Sequence, residues 1–164
     1  GGYCQAKAWN MGLDCARGEY VMFLRGDEII FPNAVHTLCQ AYSNHRANLI
    51  CSVQYLAENP KGDATIGGIE GKRYFRRVDE QFKTLNAPYL FKSDDPYQKL
   101  IMTGTHVFNP LLGTKFFDRK FLTQNSILFN ENLKAGSELL FLTNAVMASK
   151  EIMFLPNLFY VSPK

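Results

Sequence analysis

Residues 6–38 read AKAWNMGLDCARGEYVMFLRGDEIIFPNAVHTL, and the pattern of this segment predicts a helix, a strand and a second helix in succession. Small and apolar residues at helical spacing predict a helix over residues 4–17, with Gly18 at the stop position. Residues 19–24 form a nearly continuous apolar run, which is typical of a short strand buried inside a sheet. Pro32 lies near the start of the second helix. This order of elements indicates an α/β domain.

The rest of the chain continues the alternation of strands and helices. We expect strands over residues 49–56 and 114–118, a short helix near residues 119–125, and a helix that opens at Ser137. The tail, residues 152–161, is predicted to form two β segments broken by Pro156 and Asn157. The predicted fold class is therefore α/β.

The composition fits one globular domain and excludes several classes of protein. The chain has 164 residues, of which 46% are hydrophobic and 20% are charged, enough to bury a core. Because no apolar run approaches the roughly 20 residues of a membrane span, and no signal peptide is visible, we expect no transmembrane segment in this chain. The net charge of +3 is too small to indicate nucleic-acid binding. Four cysteines without a CxxC pair favour reduced thiols in a cytoplasmic setting over a zinc site.

Two acidic residues, Asp27 and Glu28, follow the first predicted strand directly. In open α/β sheets, ligands bind outside the carboxyl ends of the strands. Carboxylate oxygens at that place suit a hard divalent cation that bridges to substrate phosphates. A plain surface turn with two acids has the same sequence, so this pattern alone leaves both interpretations open.

The stretch from about residue 58 to residue 99 is polar and rich in Gly and Pro. An excursion of this length usually carries function or packs as a unit of its own. It contains a small basic cluster, made of Lys72, Arg73, Arg76 and Arg77. This cluster either contacts phosphate or another anionic acceptor group, or is the solvated face of a hairpin or helix.

Taken together, these pieces resemble family 2 glycosyltransferases of the GT-A fold. That family shows A-R-N-x-G-L, then A-x-G-E-Y-[IV]-x-F-L-D-x-D-D, then a proline and a helix. The matching positions here are Ala8, Asn10, Gly12, Leu13, Ala16, Gly18, Glu19, Tyr20, Phe23, Leu24 and Asp27. The later segments GTKFFDRKFL, FNENLKAGSELLF and FLPNLFYV are also similar to the family's C-terminal segments, so the resemblance covers about 100 of the 164 residues.

The resemblance implies a mixed sheet flanked by helices and the transfer of a sugar from a nucleotide-sugar donor to an acceptor hydroxyl. The acceptor would be a glycan or a lipid-linked molecule in cell-surface polysaccharide synthesis. By position, Asn10, Arg25 and Asp27 are expected to bind the donor, with Asp27 also a ligand of Mg²⁺ or Mn²⁺ on the diphosphate. Glu138 falls at the position of the general base. A diphosphate leaving group needs charge neutralisation, and a hydroxyl nucleophile needs a base.

Three positions depart from the family pattern. Arg25 replaces the first Asp of D-x-D, Trp9 replaces the Arg of A-R-N, and Ser137 replaces the Glu of G-E-D. Arg25 either binds the phosphate in place of the metal or marks an inactive site. Two functions therefore stay open: a glycosyltransferase, and a non-catalytic relative retained for binding or assembly. Glu138 has a plainer interpretation too, as an acid that interacts favourably with the dipole at the start of a helix.

The family begins with a V-S-[IV]-I-[IV]-P-x-Y-N strand well before A-R-N, and residues 1–164 do not contain this segment. Either the chain is a piece of a longer protein that supplies it, or the N-terminal half was lost. We therefore expect residues 1–164 to be a single, incomplete GT-A domain, and we expect the isolated fragment to be inactive.

The excursion also carries aromatic side chains, which suit the apolar faces of sugar rings. They are Tyr74, Phe75, Phe82, Tyr89, Phe91 and Tyr97. One prediction is that the excursion packs on the Glu138 side of the sheet as an acceptor wall. The other is that these aromatics form a small core of their own.

Overall fold

The computed structural model describes residues 5–58, 73–77, 87–104 and 111–163. In chain order its elements are α1 (Gln5–Cys15), β1 (Tyr20–Val21), β2 (Ile29–Ile30), α2 (Ala34–Asn44), β3 (Leu49–Glu58), β4 (Arg73–Arg77), β5 (Tyr89–Lys92), α3 (Pro96–Gly104), β6 (Lys115–Asp118), α4 (Arg119–Gln124), α5 (Ser137–Ala148) and β7 (Glu151–Pro163). A 3-10 turn, Leu112–Thr114, precedes β6.

The strands form one mixed sheet in the order β1-β6-β3-β7-β2, with β4 pairing with β3 and β5 pairing with β7. The central strands β3 and β7 are parallel, and the other pairs are antiparallel. Since β1 and β3 both run antiparallel to β6, β1 points the same way as β3 and β7. The carboxyl ends of these three strands therefore lie at one edge of the sheet, which we call the carboxyl edge. The opposite edge, where β3 and β7 begin, is the amino edge. The prediction of an α/β fold with a mixed sheet is confirmed.

Alternating residues of the strands pack two cores, one on each face of the sheet. On one face, Leu49 and Phe117 pack with residues of α1, α4 and α5. On the other, Ile50 and Phe116 pack with Ala34 and other residues of α2 and β7. Helices thus cover both faces, and α1 and α5 lie on the same one.

The first predicted strand is shorter in the structure than the sequence indicates. The apolar run covers residues 19–24, but β1 pairs with β6 only at Tyr20 and Val21. Phe23 is nevertheless buried, with its ring 5.9 Å from that of Phe117 and 5.4 Å from that of Phe141. The apolar pattern therefore predicted the burial of this segment correctly, but it predicted a longer strand than the structure has. The reason is that the chain leaves the sheet after Val21 and Phe23 then packs into the core.

The prediction of two β segments broken at Pro156 and Asn157 is wrong, because β7 continues through both residues. The register against β3 shifts there: Ser52 pairs with Leu155, and Gln54 pairs with Leu158. This extra residue in β7 is a bulge, which accommodates a proline that cannot donate to the ladder. The Ser52 hydroxyl donates to the Asn157 carbonyl at 2.6 Å and holds the bulge to β3.

The other predicted elements are confirmed with small changes of boundary. The Asp118 carboxylate accepts from the Phe121 N–H at 2.9 Å and caps α4. The polar excursion is not one loop, since its described parts are β4, β5 and the beginning of α3. Residues 59–72 and 78–86 lie outside the described residues. Among the described helices, none is long and apolar enough to cross a membrane.

Candidate active site

Arg25 and Glu138, two of the residues predicted for the site, meet at the carboxyl edge of the sheet. Arg25 lies in the turn after β1, and Glu138 lies in the first turn of α5. One terminal nitrogen of the Arg25 guanidinium is 3.1 Å from Glu138 Oε1 and 3.3 Å from Glu138 Oε2. Both side chains keep contact with solvent, with 46% and 30% of their surface exposed. The fold therefore joins positions that are 113 residues apart.

Glu28 fixes the turn that carries Arg25. Its side chain is only 6% exposed, and Oε2 accepts from the Arg25 backbone N–H at 2.8 Å. The Glu28 N–H in turn donates to the Arg25 carbonyl at 3.1 Å, which closes the turn. The Arg25 Nε lies 3.9 Å from Glu28 Oε1. Sequence reasoning treated Glu28 as a possible metal ligand, whereas in the structure it holds the Arg25 backbone in place.

The segment before α5 presents Glu138 to the site. Gly136 has a φ of +81°, a left-handed conformation that glycine adopts without a Cβ clash. The Ser137 hydroxyl donates to the Asn130 carbonyl at 3.0 Å, which ties the helix start to the preceding loop. Phe129 stacks on Phe141 of α5 at a centroid distance of 3.9 Å and anchors the other end of that loop.

Asn10 connects α1 to the same loop. Its amide nitrogen donates to the Phe129 carbonyl and to Glu131 Oε1, each at 2.9 Å. Its amide oxygen accepts from the Phe129 N–H at 2.9 Å. These contacts give Asn10 a structural role. The expectation that Asn10 binds the donor stays a prediction.

A cleft of about 730 Å³ lies between α1 and the loop before α5. Trp9 forms part of one wall, supported by Phe23 and Phe129 at ring-centroid distances of 5.9 and 4.8 Å. The lining residues are Gln5, Ala6, Trp9, Glu131, Asn132, Leu133, Lys134, Ala135, Gly136, Ser137, Glu138 and Leu139. Asp27 is exposed and is not one of the described residues that line this cleft. The structure thus brings Glu138, Trp9 and, through its ion pair, Arg25 to this place.

The described residues do not form a ready site for a divalent cation. Within residues 5–58, 73–77, 87–104 and 111–163, no group of three or more His, Cys, Asp or Glu side chains could hold a metal ion. The Glu28 carboxylate is bound to the Arg25 backbone, and the Arg25 guanidinium adds a positive charge beside it, which opposes a second cation. This donor set does not fit a resident metal. Asp27 as a ligand of Mg²⁺ or Mn²⁺ stays a prediction.

The excursion contributes α3 to the face that carries α5. Lys99 is 5% exposed, and its ammonium donates to the Met147 carbonyl at 3.0 Å, near the end of α5. At 1.5 Å per residue, that carbonyl lies about 14 Å along the helix from Glu138. Tyr97 is 69% exposed, and the side chains of Tyr74 and Phe75 lie outside those described. The acceptor wall therefore stays a prediction.

Lys115 is a buried titratable group that the sequence did not reveal. It is 1% exposed and donates to the Leu111 carbonyl and to the Thr114 hydroxyl, each at 2.9 Å. Burial lowers the pKa of Lys115 to about 8, and burial raises the pKa of its cross-strand partner Cys51 to about 12. Neither residue is among those that line the cleft, so we assign this pair to the core and not to the site.

The chain was compared with protein-family models and with solved structures. The family model described as glycosyl transferase family 2 matches residues 3–106. Among solved structures, S. aureus TarS 1–349 has a TM-score of 0.67 at 19% identity, covering 96% of this chain and 40% of that chain. Its complex with UDP has a TM-score of 0.69 at 20% identity, covering 96% and 39%. Its complex with UDP-GlcNAc has a TM-score of 0.64 at 20% identity, covering 94% and 37%.

These likenesses differ in what they establish. The solved structures are at most 20% identical, so they show a shared GT-A-like fold, and this chain spans no more than 40% of their length. A search of curated proteins found no match. The family model, in contrast, matches more than half of the chain and includes Asn10, Arg25 and Asp27. The chain therefore belongs to glycosyl transferase family 2.

Proposed function

We propose that this chain forms part of an enzyme that transfers a sugar from a nucleotide-sugar donor to an acceptor hydroxyl. The observation that carries the proposal is the contact between Arg25 and Glu138, at 3.1 Å. By the resemblance in sequence, these residues fall at the family's donor and base positions, and they meet beside a cleft that has an aromatic wall. A cation for the leaving diphosphate and a carboxylate for the attacking hydroxyl are the two groups that glycosyl transfer requires.

In the proposed reaction, Glu138 accepts the proton of the acceptor hydroxyl. The hydroxyl oxygen forms a bond to the anomeric carbon, while the bond from that carbon to the diphosphate oxygen breaks. The electron pair of the broken bond leaves with the diphosphate, where Arg25 offsets the charge. Asp27 and Asn10 contribute to donor binding. Asp27 as a ligand of Mg²⁺ or Mn²⁺ stays a prediction, and no step here depends on it.

The proposal also names a donor and an acceptor class. Because the TarS structures include complexes with UDP and UDP-GlcNAc, we choose UDP-GlcNAc as the first donor to test. The acceptor is proposed to be a glycan or a lipid-linked glycan in cell-surface polysaccharide synthesis. Trp9 offers an indole face on which the C–H side of a sugar ring can stack. The free thiols of Cys15, Cys39 and Cys51 are consistent with the proposed cytoplasmic location.

A second candidate is a non-catalytic relative that keeps the fold for binding or assembly. The same ion pair favours it, because a guanidinium contacts both oxygens of the carboxylate that should act as base. The substitution of Ser137 for the family's Glu points the same way.

Calorimetry and a product assay on the intact protein separate these candidates. The transferase should bind UDP-GlcNAc or CDP- and GDP-linked sugars and should release nucleoside diphosphate slowly by hydrolysis even without acceptor. Binding without any release in the wild type would favour the non-catalytic relative. Trp9 is the single tryptophan of the chain and lines the cleft, so a change in its fluorescence in this chain reports occupancy beside Glu138.

A further inference from the structure

We propose that the Arg25–Glu138 ion pair is a switch operated by the donor, in which the diphosphate takes the Arg25 guanidinium from Glu138 and thereby frees the base. This inference rests on the proposed function and adds to it an order of events and a role for a cation built into the chain. Glu138 is a catalytic residue in this scheme, and Arg25 is both a donor ligand and the group that controls Glu138.

The Arg25–Glu138 ion pair is placed so that a ligand can displace one partner. A single terminal nitrogen of Arg25 reaches both carboxylate oxygens of Glu138, at 3.1 and 3.3 Å. Half-exposed ion pairs of this kind contribute little free energy, because water competes for both charges. A ligand with more negative charge than one carboxylate can therefore displace Glu138 at small cost.

Only the side chain of Arg25 has to move for this exchange. The Glu28 side chain is only 6% exposed, and its carboxylate accepts a hydrogen bond from the Arg25 backbone N–H at 2.8 Å. The turn after β1 is thus fixed, while the Arg25 side chain is 46% exposed. Rotation about the side-chain bonds can redirect the guanidinium without unfolding the turn.

A guanidinium presents paired N–H donors that match two phosphate oxygens, and it needs no additional cation to do so. At this position the family pattern has a carboxylate, whose negative charge repels a diphosphate. Arg25 places a positive charge where the family pattern has a negative one, and the carboxylate of Glu28 is bound to the Arg25 backbone. The structure therefore points to donor binding that is independent of a divalent cation.

The switch has a consequence for catalysis. While the ion pair is formed, both oxygens of Glu138 contact Arg25 and are poorly placed to accept a proton from the acceptor. With donor bound, Arg25 faces the diphosphate and Glu138 faces the cleft beside Trp9. The acceptor hydroxyl is then deprotonated only when a donor is present.

A double-mutant cycle on the intact protein tests this coupling. The dissociation constants of UDP, CDP and GDP are measured by calorimetry, in EDTA and in MnCl₂, for the wild type, Arg25→Ala, Glu138→Gln and the double variant. The best-binding nucleotide should bind in EDTA, and Arg25→Ala should weaken it about tenfold or more, as loss of a charged hydrogen-bonding partner does. Glu138→Gln should tighten it about two- to fivefold, since Arg25 no longer has to leave an ion pair.

The decisive comparison is the effect of Glu138→Gln in the two backgrounds. If the switch operates, the tightening disappears when Arg25 is absent. Equal tightening in both backgrounds would mean simple repulsion between Glu138 and phosphate, and would overturn the switch. If Arg25→Ala fails to fold, as judged by circular dichroism, Arg25→Lys completes the cycle with a reduced coupling. Lys92→Ala and Glu151→Gln, at the amino edge, serve as controls with the same changes of charge.

Two further outcomes separate this inference from the proposed function. Binding that occurs only with MnCl₂ would overturn the inference and leave the glycosyltransferase proposal standing. No binding of any nucleoside diphosphate under either condition would overturn both.

Discussion

Two clusters of charged side chains lie at opposite edges of the sheet, and they differ in what they hold together. At the amino edge, the Glu151 carboxylate is bound to the Lys92 ammonium and to the His45 ring nitrogen. These hydrogen bonds, from Lys92 first and then from His45, lower the pKa of Glu151. At the carboxyl edge, Arg25 contacts Glu138 and Glu28.

The two clusters differ in whether the backbone segments that carry the charged side chains are already joined by hydrogen bonds. Lys92 and Glu151 are already partners in the β5–β7 ladder, and His45 caps the end of α2. Their charges add to elements that the backbone has already joined. Arg25 and Glu138 instead link a turn to the first turn of a helix through side chains, beside an open cleft. Similar ion pairs can therefore stabilise the fold at one edge and remain exchangeable at the other.

The largest effect is expected at the carboxyl edge. Glu138→Gln removes the proposed base and should lower the rate of sugar transfer about 10²- to 10⁴-fold, the usual contribution of general-base catalysis. The free energy of unfolding should change by less than about 1 kcal/mol, because the pair is partly exposed. Turnover and chemical denaturation of the same preparations check both expectations.

Glu151→Gln is the matched control for that variant, with the same change of side chain at the amino edge. It should leave the transfer rate close to that of the wild type. A loss of transfer as large as that of Glu138→Gln would remove the distinction between the two edges.

The next effect concerns Asn10, a residue that supports the carboxyl edge. Asn10→Ala removes three hydrogen bonds to Phe129 and Glu131 and should lower the free energy of unfolding by about 2 kcal/mol. Urea denaturation measures this. Weaker donor binding at unchanged stability would instead show that Asn10 acts mainly on the donor.

Lys115, buried between the two edges, gives a smaller effect that depends on pH. Its pKa is lowered from 10.5 to about 8, so between these values the unfolded chain binds more protons than the folded chain. Stability therefore rises with pH, by about 1 kcal/mol from pH 8 to pH 9. Lys115→Met should abolish this rise, measured as the difference between the two proteins in urea at each pH. An identical pH dependence in both would contradict a lowered pKa for Lys115.

The smallest effect is expected at the amino edge. Glu151→Gln should lower the free energy of unfolding by about 0.5 to 1 kcal/mol, as for other partly exposed ion pairs. Since the folded pKa of Glu151 is lowered, its contribution is present above the ordinary value of 4.5 and is lost as the pH falls through the folded value. The difference between variant and wild type in thermal melts should therefore be largest at pH 7 and should shrink as the pH of the melt is lowered below 4.5.

Local patterns predicted much of the fold. The helix that opens at Ser137 follows from local periodicity, as does the strand that begins at Leu49. The bulge at Pro156 did not follow, because it depends on the register that Ser52 imposes from another strand. The sequence also did not predict that Lys115 is buried, because lysine side chains usually lie at the protein surface.

The same limit applies to the site. Arg25 and Glu138 were singled out by resemblance, but their contact depends on β1 and α5 meeting at one edge of the sheet. The role of Glu28 in holding the Arg25 backbone was equally invisible, because a carboxylate after a strand suits a metal ligand and a turn alike.

A crystal structure of the intact protein with UDP, grown in EDTA, tests the central claim most directly. We predict that the diphosphate lies within hydrogen-bonding distance of the Arg25 guanidinium and that the 3.1 Å contact between Arg25 and Glu138 is broken. The Glu138 carboxylate would then face the cleft beside Trp9. UDP bound elsewhere, or bound with the Arg25–Glu138 pair intact, would contradict the account.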